Sequence, residues 1–241
     1  MKISVVVPAF NEEKLIGETL KSVSGAMAAF VESGWESELI VCDNNSTDRT
    51  PELARAAGAA IVFEPINQIG RARNKGAEAA TGDWLIFIDA DSQATKGLFA
   101  EVIQTIETGK VLFGGCTIKL EGAPLVARVV TRIWNGISRV GKYAAGSFIF
   151  CETAAFRKLG GFDNRLFAGE EIDLSKRLKQ LARETGKRAV ILHRNRLLTS
   201  ARKLHLYSAR EHLRFVVKTM VGWRRTVTSR DACHTWYDGR R

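Results

Sequence analysis

Two carboxylates flanking one small residue close the apolar run L-I-F-I-D-A-D-S at residues 85–92. Delivered together from the end of a buried strand, Asp89 and Asp91 offer hard oxygen ligands to Mg²⁺ or Mn²⁺, which take one or two protein carboxylates and complete their shell with phosphate and water. A second acidic group, Glu170, Glu171 and Asp173, stands in G-G-F-D-N-R-L-F-A-G-E-E-I-D-L-S-K-R-L at residues 160–178, at the start of a helix whose dipole favours negative charge. Glu171 and Asp173 do not share a helical face, so one can point into a cleft as a base while another caps the turn. Asp43, in V-C-D-N-N-S-T-D-R-T at 41–50, suits a base or ribose as a hydrogen-bond acceptor, with Asn44, Asn45, Ser46 and Asp48 as turn formers around it. In V-V-V-P-A-F-N-E-E at 5–13, Pro8 is expected to end its strand and leave Ala9, Asn11 and Glu12 to a ligand; a plain turn with Asn11 as N-cap reads the same residues.

These groups need elements to position them. The first 90 residues alternate strand and helix signals: strands at 3–7, 39–42, 61–63 and 84–88, with helices over 12–30, from Thr50 and Pro51 to about 57, and over 70–80. That order predicts a parallel sheet with helices on both faces and a ligand site at the carboxyl ends of the strands. Beyond 95 the spacing predicts helices over 98–106, 125–140 and 172–181, and strands at 110–120, 147–151 and 190–192. A final helix is expected over 205–223 with Leu206, Leu213, Val217 and Met220 on its apolar face, and residues past 230 read as a loose tail.

With 241 residues, 45% apolar and 26% charged, the chain can bury a sizeable core, which excludes disordered and fibrous classes. No run approaches the apolar length of a membrane span, and the apolar run at the start is too short for a signal peptide. Polymer synthases that thread their product through a bilayer are therefore not expected. Cys42, Cys116, Cys151 and Cys233 are widely spaced without a C-x-x-C pair, the pattern of reduced thiols in a cytoplasmic protein.

In their order and approximate spacing, the blocks at 5–13, 41–50 and 160–178, together with G-R-A-R-N-K-G-A-E-A-A-T-G-D-W-L-I-F-I-D-A-D at 70–91, resemble family 2 glycosyltransferases with the GT-A fold. The resemblance covers residues 2 to about 202. It implies a single Rossmann-like α/β domain over 1–204 with a mixed, mainly parallel central sheet flanked by helices; residues 1–95 would be its nucleotide-binding half and 96–204 its acceptor half. Pro8, Ala9, Asn11, Glu12 and Asp43 would line the nucleoside pocket, Arg73 and Asn74 would approach the nucleotide, and Asp89, Ala90 and Asp91 would form the metal-binding D-x-D. The catalytic base would be Glu171, where the family has Asp, with Glu170 beside it as the competing candidate. Glu152 is a second departure, since relatives often carry a basic residue there. The implied activity is inverting transfer of a sugar from a nucleotide-diphosphate donor, with uridine the expected base, to an acceptor hydroxyl, assisted by Mn²⁺ or Mg²⁺.

Charge is unevenly distributed. Residues 1–120 hold 11 basic and 16 acidic side chains, net −5, whereas residues 121–241 hold 25 and 10, net +15. Thr199 to Lys203 could bring Arg202 and Lys203 to the donor diphosphate, with His193 as a further metal ligand or as an ordinary structural histidine. Arg210, Arg214 and Lys218 share one stripe of the basic helix at 205–230, which suits either a solvated helix or an anionic membrane surface and a lipid-linked acceptor. The acidic first half counts against nucleic acid as a partner. A nucleotide-sugar-forming nucleotidyltransferase is the nearer alternative, but it would open with a Gly-rich phosphate loop that V-V-V-P-A-F-N-E-E lacks. A basic anionic-surface-binding module on an inactive fold of the same kind is a further alternative. Asp43, Asp89, Asp91 and Glu171 speak against it.

Overall fold

The computed structural model describes residues 1–144, 146–202 and 227–233. In chain order it forms β1 (Lys2–Ala9), α1 (Ile16–Glu32), β2 (Glu36–Asp43), α2 (Thr50–Ala56), β3 (Ala60–Phe63), α3 (Ile69–Ala79), β4 (Trp84–Ile88), β5 (Ser92–Gln93), α4 (Lys96–Glu107), β6 (Val111–Glu121), α5 (Leu125–Gly141), β7 (Phe148–Glu152), α6 (Thr153–Lys158), α7 (Glu170–Glu184) and β8 (Arg188–Ser200). One eight-stranded sheet, in the order β3-β2-β1-β4-β7-β6-β8-β5, spans both halves of the sequence. β3, β2, β1 and β4 are parallel, and so are β6 and β8; β7 runs antiparallel to both its neighbours, and β5 runs antiparallel to β8.

The apolar runs become strands because both faces of the sheet are covered. Ile3, Val5, Val7 and Ala9 of β1 pack with Trp84, Ile86 and Ile88 of β4 beneath α1 and α4, whereas Val6, Leu85 and Phe87 face the other layer with Phe156 of α6 and Leu174 of α7. Gly76 lets α3 lie close on β1, since a Cβ there would fall 2.3 Å from Val6 Cγ1. Among the described residues no helix is long and apolar enough to cross a membrane. The four cysteines are buried thiols, and burial pushes Cys42 up to about 12.

Several expectations are corrected. β1 runs through Pro8, which pairs with Cys42 of β2; β4 pairs only as far as Val6, so at Pro8 the missing donor faces no second strand. The first helix starts at Ile16 instead of residue 12, because Asn11 is left-handed (φ 51°) and Glu12 accepts a turn from Leu15 and Ile16. Arg49, not Thr50, occupies the N-cap of α2. The last strand is thirteen residues long, bulging where Leu192 to Leu197 spans the same ladder as Cys116 to Ile118. The expected helix over 205–230 and its Arg210, Arg214 and Lys218 stripe lie outside the described residues up to 226. At the end of that expected helix Val227 is buried and its O accepts from Phe167 N at 2.6 Å, in the loop before α7; of the expected loose tail past 230, Cys233 is buried.

Candidate active site

The carboxyl ends of β1, β2 and β4 open on one edge of the sheet. There Ala9 O accepts from Asn44 N at 2.8 Å, which ties the first two loops together. Asn11 extends the tie, since its N–H donates to Ser46 Oγ and its Oδ1 accepts from Thr47 N. Asp43 is buried and its Oδ1 receives Ser46 N. Asn44 and Asp48 shape the loop, with Asn44 holding the chain at Glu64, Ile66 and Gln68, and Asp48 holding Glu13 and Thr50.

After β4, the D-x-D turn is fixed through its backbone. Asp89 N donates to Ser147 O, Thr19 Oγ1 donates to Ala90 O, and Ser200 N donates to Asp91 O. Both carboxylates are thus held at the sheet edge. Among the described residues no group of three or more His, Cys, Asp or Glu side chains is arranged to hold a metal. Two aspartates with phosphate and water completing the shell is, however, the way Mg²⁺ and Mn²⁺ bind at nucleotide sites, so the donor set fits such an ion.

Arg73 joins this edge to α7. Its side chain is almost fully buried; Nη2 lies 2.9 Å from Asp89 Oδ1, and Nη1 lies 2.8 Å from Glu170 Oε1 and 3.4 Å from Glu171 Oε1. Its carbon Cζ sits 5.3 Å from the centre of the Phe162 ring. Burial alone would depress the guanidinium, but Asp89, Glu171 and Glu170 outweigh it and hold Arg73 charged above its ordinary range. One cation facing three carboxylates leaves negative charge in excess. Glu170, inaccessible at the first position of α7, is pushed up to about 8 by burial and by the charge of Glu171, with Arg73 opposing. Glu171 is the more accessible of the two, its side chain 17% exposed against 2% for Glu170.

Arg73 and Asn74, expected near the nucleotide, both spend side-chain hydrogen bonds on groups of the protein. Asn74 Nδ2 donates to Phe162 O and Asn164 Oδ1, and its Oδ1 accepts from Phe162 N. Gly161 (φ 71°) leaves room for this, since a Cβ would fall 2.5 Å from Asn74 Oδ1. Both residues dock the G-G-F-D-N loop and α7 against α3. Gln68 does the same, donating to Asn164 O and Leu166 O. Sequence reasoning missed it because one glutamine before a helix carries no distinguishing signal.

Arg202, after β8, does arrive at the edge. Its Nη2 donates to both oxygens of Glu12, at 2.8 and 2.7 Å, while Nε and Nη1 are buried without a hydrogen-bond partner among the described residues. Buried guanidinium donors left unpaired are costly, so these two nitrogens are poised for an anion. Lys203 lies outside the described residues. His193 is not brought to the aspartates: it is exposed in the bulge of β8, and its backbone N–H points at Glu101 Oε1. Glu152, the other departure, pairs with Lys187.

Three comparisons bear on this geometry. Residues 4–159 match the sequence pattern described as Glycosyl transferase family 2. An uncharacterized glycosyltransferase of Mycobacterium tuberculosis is 36% identical over 135 residues, 55% of this chain. The match spans only 57% of that relative's own length. The fold is shared with a mannosyltransferase from Pyrobaculum calidifontis in complex with GDP-Man and Mn²⁺ (TM-score 0.65, 18% identity, 98% of this chain and 73% of that one). It is also shared with glucosyl-3-phosphoglycerate synthase from Mycobacterium tuberculosis in complex with Mn²⁺, UDP-glucose and phosphoglyceric acid (TM-score 0.62, 20% identity, 97% and 80%).

Proposed function

Because the chain belongs to glycosyl transferase family 2, we propose that it transfers a sugar from a nucleotide-diphosphate donor to an acceptor hydroxyl with inversion at the anomeric carbon. One observation carries this reading: Arg73 holds Asp89, at the end of β4, and Glu171, on the first turn of α7, on the same guanidinium. A leaving-group site and a candidate base thereby lie within reach of one side chain. Asp43 and the loop after β1 receive the nucleoside, and we take uridine as its base. Arg202 Nε and Nη1 receive diphosphate oxygens. Asp89 and Asp91 hold Mn²⁺ or Mg²⁺, which when bound neutralises charge on the departing diphosphate.

The protein's own part is proton transfer and exclusion. Glu171, within hydrogen-bond reach of an incoming hydroxyl, takes its proton as the oxygen attacks the anomeric carbon. Glu170 is buried against Arg73 and serves to position it. The test is a screen of nucleotide sugars for Mn²⁺-dependent hydrolysis and for thermal stabilisation. Stabilisation by a nucleoside diphosphate sugar with slow, metal-dependent hydrolysis is expected; silence toward every donor, with or without metal, overturns the reading.

A further inference from the structure

Helix α5 is mounted inside out. Val126, Val129, Val130, Ile133, Ile137 and Val140 recur at i, i+3, i+4 and i+7 spacing and form one apolar stripe, which on a globular protein ordinarily faces the core. Here it faces outward, with Val126 76%, Val130 59%, Ile133 58% and Val140 88% exposed. The polar stripe of the same helix holds it to the sheet. Asn135 accepts from Ile118 N at 3.1 Å and donates to Ile118 O at 2.9 Å, completing the ladder of β6 beyond the last β7 pairing at Gly115; the buried Ser138 donates to Tyr143 O. A third stripe, Arg128, Arg132 and Arg139, flanks the apolar one, and the helix contains no acidic residue.

We propose that α5 is an interfacial helix that seats this protein on an anionic lipid bilayer, apolar stripe in the acyl boundary and arginines at the headgroups. A contiguous apolar patch of this extent on a soluble chain marks an interaction surface, and an amphipathic helix with a cationic border fits an anionic membrane surface. Charge selects the occupant. A second copy would bring the same three arginines, and residues 203–226 of this chain carry six basic side chains against one glutamate, so both repel the border that an anionic bilayer attracts. The cations continue inward: Arg128 and Arg132 line a cavity of about 450 Å³ with Lys119 and Arg196. Glu121 and Leu198 line both that cavity and the small cleft at Asp91. If the transferase reading holds, an acceptor carried at the bilayer would stand beside the reaction edge.

The test is co-sedimentation of the full chain with phosphatidylcholine vesicles, with and without phosphatidylglycerol, and needs no transferase activity. Binding is expected only with the anionic lipid. Arg128→Gln/Arg132→Gln should weaken it on the order of thirtyfold, and Val130→Asp/Ile133→Asp about tenfold or more, with circular dichroism unchanged because all four side chains are exposed. Neither variant alters residues 203–226, whose contribution stays constant. Absence of vesicle binding, equal binding by the wild type and the aspartate variant, or a dimer that the aspartates dissociate without any lipid dependence overturns the proposal.

Discussion

Arg73 Nη1 lies 2.8 Å from Glu170 Oε1 with both side chains out of solvent, so a guanidinium of α3 is the buried partner of the carboxyl group that opens α7. The pair is a hinge pin between two stretches of sequence 97 residues apart. Its geometry is worth little as net stability against an apolar core, but removing Arg73 leaves the acidic groups of Asp89, Glu170 and Glu171 packed together with no cation between them.

Arg73→Ala should therefore destabilise the fold by about 3–5 kcal/mol, read by urea unfolding. Arg73→Lys retains the charge but cannot span Asp89 and Glu170 with one planar fork, and should fall between the alanine variant and the wild type. Wild-type stability in the alanine variant would mean that the three carboxylates find other partners.

Glu171→Gln and Glu170→Gln separate base from positioning residue. The first should lower kcat by about 10²–10⁴-fold with donor affinity retained. The second removes a buried acid that does not reach the acceptor, and should leave most of kcat while shifting stability. Full transfer by Glu171→Gln together with a dead Glu170→Gln would reverse the two roles.

Arg202→Gln should raise the donor KM or Kd by about tenfold to a hundredfold, the loss of charge-assisted hydrogen bonds to the diphosphate, and should also leave Glu12 without this partner. Titration with nucleoside diphosphate and with the bare nucleoside distinguishes the two effects. Only diphosphate binding should suffer.

Much of this site was legible in sequence because buried parallel strands announce themselves as apolar runs and the chemistry follows where each run stops. Asp43 at the end of β2, and Asp89 and Asp91 after β4, stand where those runs stop. The ion pairs of Arg73 were not legible because its partners lie 16 and 97 residues away, and no local spacing reveals which carboxylate a helical arginine will meet. β8 was read as three residues because Arg194 and Asn195 interrupt its apolar pattern; Glu101, reaching from α4 to the backbone at His193 and Asn195, holds the bulge. The helical spacing of α5 was visible, but not its orientation, which Asn135 decides by bonding both backbone groups of Ile118.

Asp91→Asn tests the metal site without relying on turnover. Thermal stabilisation by nucleoside diphosphate plus Mn²⁺ should largely disappear in the variant, whereas stabilisation by nucleoside alone should persist. Metal-independent stabilisation in the wild type would exclude Asp91 as a ligand.

Stability should depend on pH through Glu170. Its carboxyl is raised to about 8 in the folded protein, by burial and then by Glu171, from an ordinary value of 4.5. Between these two values the folded chain holds a proton that the unfolded chain has released, so stability falls as pH rises through the window, by at most about 1.4 kcal/mol per pH unit. The contribution is fully present below the ordinary carboxylate value and is lost by the time pH passes 8. Urea unfolding across that range should show the decline, and Glu170→Gln, which cannot ionise, should flatten it. A variant that follows the wild-type slope would assign the dependence to another group.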